Sequence, residues 1–279
     1  MPLFLADPER CKRDGACVAE CPVRIIELQA DAPAPIVRSE LEEFCRNCGH
    51  CVAVCPRDAV RLATMPPEHL PAVRADWPLG AAEVTHFLRA RRSMRTYAPR
   101  RVPRATLRAL VEVASFAPTG SNRQPVRWMI MDDPAEVRRL GGLVVDWMRA
   151  GLPKQAPAAR RNVERFVALW DAGTDVICRG APHLILACAS AENPAWATDC
   201  VIALTYLELA APSFGLGACW GGWLMAAARQ WAPLQQALAL PEGLAPYGAM
   251  LIGYPRYQYH RLPLRNAPEV FWRGEARDS

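Results

Sequence analysis

Lysine is nearly absent from this chain. Lys12 and Lys154 are the only two in 279 residues, so the formal charge of +5 rests on arginines scattered along the length. Without a dense basic run the electrostatic footprint of a nucleic-acid binder is missing, and no nucleic-acid partner is expected. The start lacks a basic-then-apolar leader, with Asp7 and Glu9 in its place, and residence in the cytoplasm is expected. An unbroken membrane-length run is missing too. Glu208, Pro212 and the glycines from Gly215 to Gly222 interrupt the best candidate, Val201 to Ala228, whereas a spanning helix needs about twenty mostly apolar residues. No Ser-His-Asp or Cys-His pairing is apparent, and no G-x-G-x-x-G follows a strand pattern.

Cysteine, by contrast, is abundant. Eleven cysteines in a chain expected in the cytoplasm point to metal or redox chemistry over disulfides. A hydrophobic content of 51% builds a real core, and the length suits about two domains.

Residues Cys45 to Pro56 read C-x2-C-x2-C-x3-C-P, the iron-sulfur spacing in which the fourth cysteine serves a second cluster. Zinc and free thiols are the alternatives, but structural zinc prefers two ligand pairs separated by a longer finger. Shifting the opening segment by thirty-four positions lays Cys11 on Cys45, Cys17 on Cys51, Cys21 on Cys55 and Pro22 on Pro56. Ile26 and Leu28 fall on Val60 and Leu62. On these residues, positions 1–65 resemble a bacterial-type two-cluster ferredoxin. The crossed pattern of that family implies one cluster on Cys45, Cys48, Cys51 and Cys21, and another on Cys11, Cys17 and Cys55. The residue matching Cys48 is Asp14, which implies either a [3Fe-4S] cluster or a [4Fe-4S] cluster with an oxygen ligand. The alternative for Asp14 is a turn residue before Gly15. His50, inside the second motif, is expected beside the cluster or facing solvent.

Pro66, Pro67, Pro71 and Pro78 mark residues 66–82 as a linker. A second domain is expected over 83–279. It opens with a helix from Ala82 to Arg92 whose Val84, Phe87 and Leu88 share a face. Arg91-Arg92-Ser93-Met94-Arg95 then places guanidinium forks and a hydroxyl where an anion would be met bidentately. A helix from Ala105 to Ala117, the string Pro118-Thr119-Gly120-Ser121-Asn122-Arg123-Gln124-Pro125 and a strand from Arg127 to Met131 follow. Further along come a strand Pro182–Ala189, a helix Asp199–Ala211, a glycine-rich turn Gly215–Gly222 and a strand Met250–Gly253 running into Tyr254-Pro255. Four motifs in this order resemble the nitroreductase family of FMN-dependent oxidoreductases over residues 83–272.

The resemblance implies an α+β sandwich with a mostly antiparallel sheet, a homodimer, and FMN at the subunit interface. It implies that Arg91, Arg92, Ser93, Arg95 and Arg265 hold the flavin phosphate and ribityl chain. Pro118, Thr119, Gly120 and Asn122 would come from the partner subunit, and the backbone at Gly221 and Gly222 would face the ring. Between Gly141 and Gly180 the match is weakest. There Trp147, Met148, Phe166, Leu169 and Trp170 are candidates for a substrate lid or for core and dimer packing. Cys178, Cys188, Cys200 and Cys219 are expected to pack, and His69, His86, His183 and His260 to be structural or exposed. The resemblance implies that the flavin carries the hydride, in which case no side-chain nucleophile is required.

The function expected is an iron-sulfur flavoprotein oxidoreductase that passes electrons from two clusters through FMN to an organic acceptor, nitroaromatic or quinone-like. Ferredoxin, flavodoxin or NAD(P)H is the expected donor. The alternatives are an electron-transfer or redox-sensing relay to a protein partner, and a flavin dehydrogenase that drains electrons into the clusters.

Overall fold

The computed structural model of the chain describes residues 2–151 and 156–274. The first sixty-five residues build two small antiparallel pairs. Strand β1 (Phe4–Ala6) pairs with β4 (Val60–Leu62), and β2 (Ile26–Glu27) pairs with β3 (Ile36–Val37). Two short helices, α1 (Ala16–Glu20) and α2 (His50–Ala53), pack on them around Phe4, Ile26, Val52, Val60 and Leu62.

The internal repeat is written into the backbone. Left-handed residues recur at the same thirty-four-residue spacing, Arg13 with Asn47, Gly15 with Gly49 and Arg24 with Asp58. The amides of Arg13 and Asn47 approach the sulfurs of Cys11 and Cys45, both at 3.4 Å. Glycine starts each helix because an L side chain at φ near 75° is strained.

Residues 71–90 are exposed throughout, apart from the ends of the linker a run with one short 3-10 turn at Pro67–His69 before it. Helix α3 (Ala81–Ala90) forms where expected, yet Val84, Phe87 and Leu88 are left exposed.

The second domain is a layered sandwich. Its sheet runs β5 (Arg127–Met131), β6 (His183–Ser190), β8 (Leu244–Gly253), β7 (Gly217–Trp220), every pair antiparallel. Alternation in the two central strands splits the core in two. Leu184, Leu186, Cys188, Ala249 and Leu251 face helices α5 (Pro134–Gly151), α6 (Pro157–Asp171), α8 (Gly222–Ala228) and α9 (Ala232–Leu238). Ile185, Ala187, Ala189, Met250 and Ile252 face α4 (Arg104–Ala114) and α7 (Trp196–Ala210). A sheet covered on both faces reads as continuous apolar sequence, as β6 does.

One expectation is corrected. The glycine-rich stretch Gly215–Gly222 is not one turn, because Gly217–Trp220 is an edge strand paired with β8. Among the described residues no helix is long and apolar enough to cross a membrane.

Candidate functional site

The fold sorts the expected iron ligands into two cavities. Cys21, Cys45, Cys48 and Cys51 line one, with His50 at its edge. Cys11, Asp14, Cys17 and Cys55 line the other. Each cavity draws one cysteine from the far motif, Cys21 in the first and Cys55 in the second. Burial pushes the Cys51 thiol up to about 12, and the neighbouring Cys45 and Cys48 add to the rise. Cys17 is raised by burial and then by Cys55 and Cys11. Thiolates held this close repel one another and lack water, so the site fits a cationic metal core that would offset both penalties.

Asp14 stands at the corner that Cys48 occupies in the repeat. Its Oδ1 accepts the Ala16 amide at 3.0 Å, so the turn role is present, while the exposed carboxylate borders the cavity. His50 Nδ1 lies 3.3 Å from the Cys48 carbonyl and the ring is exposed.

In the second domain the segment from Arg91 to Tyr97 is sewn along the outer edge of the sheet. The Met94 amide donates to the Ala218 carbonyl at 2.8 Å, and Arg256 N–H donates to Thr96 at 3.1 Å. Gly217 makes this possible, since a Cβ there would meet Met94 at 2.4 Å. Arg91 donates to Glu208 at 2.8 Å, and the same carboxylate accepts the Trp220 indole N–H at 3.1 Å. Glu208 is buried, so Arg91 is spoken for. Arg92 lies over the Tyr259 ring at 5.4 Å. Arg91, Arg92 and Tyr259 border a cavity of about 320 Å³ with Phe87, Gly217 and Tyr257.

Burial raises the Cys219 thiol, and the nearby charges of Arg179 and Arg95 oppose the rise. Arg179 is a residue that sequence reasoning missed. It sits in a left-handed turn built by Asp175, whose carboxylate accepts the amides of Ile177, Cys178 and Gly180 at 2.8 to 3.0 Å. No local signal separates it from the other arginines. Arg265 is exposed.

Gly221 and Gly222 close β7 onto α8. A Cβ on Gly222 would meet nothing within 4 Å, so its backbone is presented bare. Next to it Trp223 meets Phe166 edge-on at 5.7 Å and Trp147 at 6.5 Å. Of the other lid candidates, Met148 is core and Trp170 packs partly buried against it. Residues 152–155, inside this region, lie outside the described residues.

The loop from Pro118 to Gln124 is fixed from below. Gly120 N–H donates to buried Asp199 at 3.2 Å, and Gln124 N–H donates to Thr119 Oγ1 at 3.0 Å. The other Asp199 oxygen has no partner among the described residues. Asn122 donates to the carbonyls of Arg46 and Asn47 in the first domain. Cys178, Cys188, Cys200 and Cys219 are buried, and burial raises their thiols. His183 is fully buried, accepts the Val102 amide on Nε2 at 2.8 Å and is held neutral by burial.

Comparison with known proteins follows this division. A model of the nitroreductase family matches residues 88–254, and one described as a 4Fe-4S dicluster domain matches residues 4–63. A putative NADH dehydrogenase/NAD(P)H nitroreductase of Methanothermobacter thermautotrophicus is 24% identical over 187 residues, 66% of this chain and 83% of that protein. A nitroreductase with bound FMN from Bacteroides fragilis matches with a TM-score of 0.55 at 21% identity, covering 68% of this chain and 99% of that one. A second FMN-bound nitroreductase, from Desulfitobacterium hafniense, matches at 0.53 and 21% identity, covering 67% and 97%.

Proposed function

This chain belongs to the nitroreductase family and carries a 4Fe-4S dicluster domain ahead of the nitroreductase domain, and from that premise we propose that it is an FMN-dependent oxidoreductase with its own electron supply. Electrons enter two iron-sulfur clusters and leave to a small organic acceptor, nitroaromatic or quinone-like. The observation that carries this reading is the sorting of Cys21, Cys45, Cys48 and Cys51 from Cys11, Asp14, Cys17 and Cys55 into separate cavities on the chain that also presents the arginine segment. The all-thiolate site suits [4Fe-4S], and the Asp14 site suits [4Fe-4S] with a carboxylate ligand or [3Fe-4S]. Covalent fusion keeps donor and acceptor at high effective concentration.

FMN, when bound, supplies hydride chemistry that the side chains cannot. Arg92, Ser93, Arg95 and Arg179 are the groups for its phosphate, while Arg91 braces the segment through Glu208. The bare Gly222 backbone leaves room for a flat ring, and Trp223, Trp147 and Phe166 wall off water beside it. The unpaired β5 edge, its groove beside α4, and the exposed Phe116, Leu264, Phe271 and Trp272 suit a homodimer. Names of relatives include NAD(P)H, which makes a nicotinamide the second donor to test.

Anaerobic purification with iron, sulfide and flavin analysis tests the assignment, followed by turnover of a nitroaromatic and a quinone with reduced ferredoxin or NADPH. Both cofactor types and acceptor reduction are expected. Cofactors without turnover of any small acceptor would leave a relay in place of an enzyme.

A further inference from the structure

We infer that the cluster site ringed by Cys21, Cys45, Cys48 and Cys51 is the one that serves the nitroreductase domain, and that Asn122 is the positioning residue that fixes it there. This rests on the function proposed above. The inner site is thereby separated from an outer site at Cys11, Asp14, Cys17 and Cys55, which is left to meet the external donor.

The case begins with one side chain. Both N–H bonds of the Asn122 amide are used on consecutive carbonyls, Arg46 at 3.2 Å and Asn47 at 2.8 Å. Those carbonyls lie between Cys45 and Cys48, in the turn that carries two ligands of the inner site. Gln124 donates to the amide oxygen at 3.4 Å, which leaves the nitrogen facing the first domain. Among the described residues these are the only hydrogen bonds between residues 2–65 and residues 81–274.

The contact is also built to be rigid. Ser121 and Asn122 are both left-handed, at φ 52° and 53°, a conformation that asparagine tolerates better than most residues. Asn122 N–H is tied back to Thr119 at 3.0 Å, and Gly120 is tied to buried Asp199 on α7. On the other side Asn47 is left-handed as well, and its side chain is met by the Thr64 hydroxyl. A continuous set of short links therefore runs from the cysteine turn to the core helix of the second domain. The outer site has no such link. Its Arg13 side chain turns back to the carbonyls of Gln29 and Ala30 within the first domain.

The docked turn holds the inner site against the second domain, and the route into that domain runs through it. With both groups bound, a reduced cluster in the inner site would supply one electron at a time, and two electrons with two protons from solvent would reduce the flavin. The external donor refills the outer site one electron at a time.

The test uses the anaerobic holoprotein with Asn122→Asp and Asn122→Ala. Asn122→Asp keeps the shape but sets a carboxylate against two carbonyl oxygens. Iron and sulfide contents are expected to match the parent, with flavin content measured beside them. Hydrogen exchange should rise at amides 45–49 and stay unchanged at 11–15, and cluster-to-flavin transfer in stopped flow should slow roughly ten-fold or more, the size of two lost hydrogen bonds. Asn122→Ala should give the same pattern in weaker form. Unchanged exchange at 45–49, or an unchanged transfer rate, would overturn the inference. Loss of flavin with normal exchange at 45–49 would overturn it too, by making Asn122 a flavin ligand. If the parent protein holds no flavin or no clusters, the proposed function fails first, which separates the two outcomes.

Discussion

Removing the Glu208 carboxylate should expose what Arg91 is for. Glu208 has a side chain only 7% exposed, Arg91 is 28% exposed, and the pair meets at 2.8 Å with the Trp220 indole on the second carboxylate oxygen. Breaking a buried ion pair from one side costs about 3 to 5 kcal/mol, because the remaining charge is stranded. Arg91 can regain some water through the adjoining cavity, so Glu208→Ala is expected to cost about 2 to 3 kcal/mol. Glu208→Gln keeps an acceptor for only one of the two donors and turns an N–H toward the other, so it should cost about 1 to 3 kcal/mol. The double variant Arg91→Met with Glu208→Leu strands no charge and should be no less stable than Glu208→Ala, with about 1 to 3 kcal/mol left for the Trp220 indole N–H that loses its acceptor. Eight of the nine tryptophans lie beyond the linker and none lies before Trp77, so tryptophan fluorescence during denaturant titration reports chiefly the second domain. If Glu208→Ala leaves the midpoint unmoved while Arg91→Met strips flavin from a fully stable protein, Arg91 serves the anion and the bracing role is wrong.

Other outcomes can be checked with the same protein. Arg95→Ala and Arg265→Ala should weaken FMN binding about ten-fold to a hundred-fold with cluster content unchanged, as read by flavin titration. Asp14→Cys should suppress conversion of the outer cluster to a [3Fe-4S] form on mild oxidation, seen as loss of a paramagnetic signal; if oxidative lability is the same, Asp14 is a turn residue only. Gly217→Ala drives a Cβ into Met94 and should cost about 1 to 3 kcal/mol while loosening the arginine segment, visible as faster flavin loss. His183 is depressed by burial, so the unfolded chain binds its proton first; stability from this group is whole above its ordinary value of 6.5 and is lost as pH falls below it, and His183→Gln should flatten that part of the pH profile.

How much was legible depended on the range over which each feature acts. The dicluster domain was readable because thiolates that share a cluster must sit at short fixed spacings, and the repeat survives in the matched left-handed pairs from Arg13 and Asn47 onward. Strand β5 has the expected bounds, since its apolar run is uninterrupted. Strand β8 begins earlier than expected, at Leu244, because Pro246 and Gly248 break its apolar signal; the register shift opposite, between Ala187 and Cys188, accommodates the irregularity. The small residues that β7 needs beneath Met94 made a strand look like a turn. Glu208 and Asp199 were hidden for another reason, since each acts on a loop more than seventy residues away. Asn122 was picked out by its motif, but the fold sends its amide to Arg46 and Asn47 of the same chain.

The most direct measurement is anaerobic stopped flow on the intact protein, followed at a cluster wavelength and at a flavin wavelength after mixing with a reduced one-electron donor. Cluster bleaching should come first and flavin bleaching second, both independent of protein concentration once the donor is spent, as one chain passing electrons internally requires. A flavin that stays oxidised while the clusters remain reduced would contradict the account.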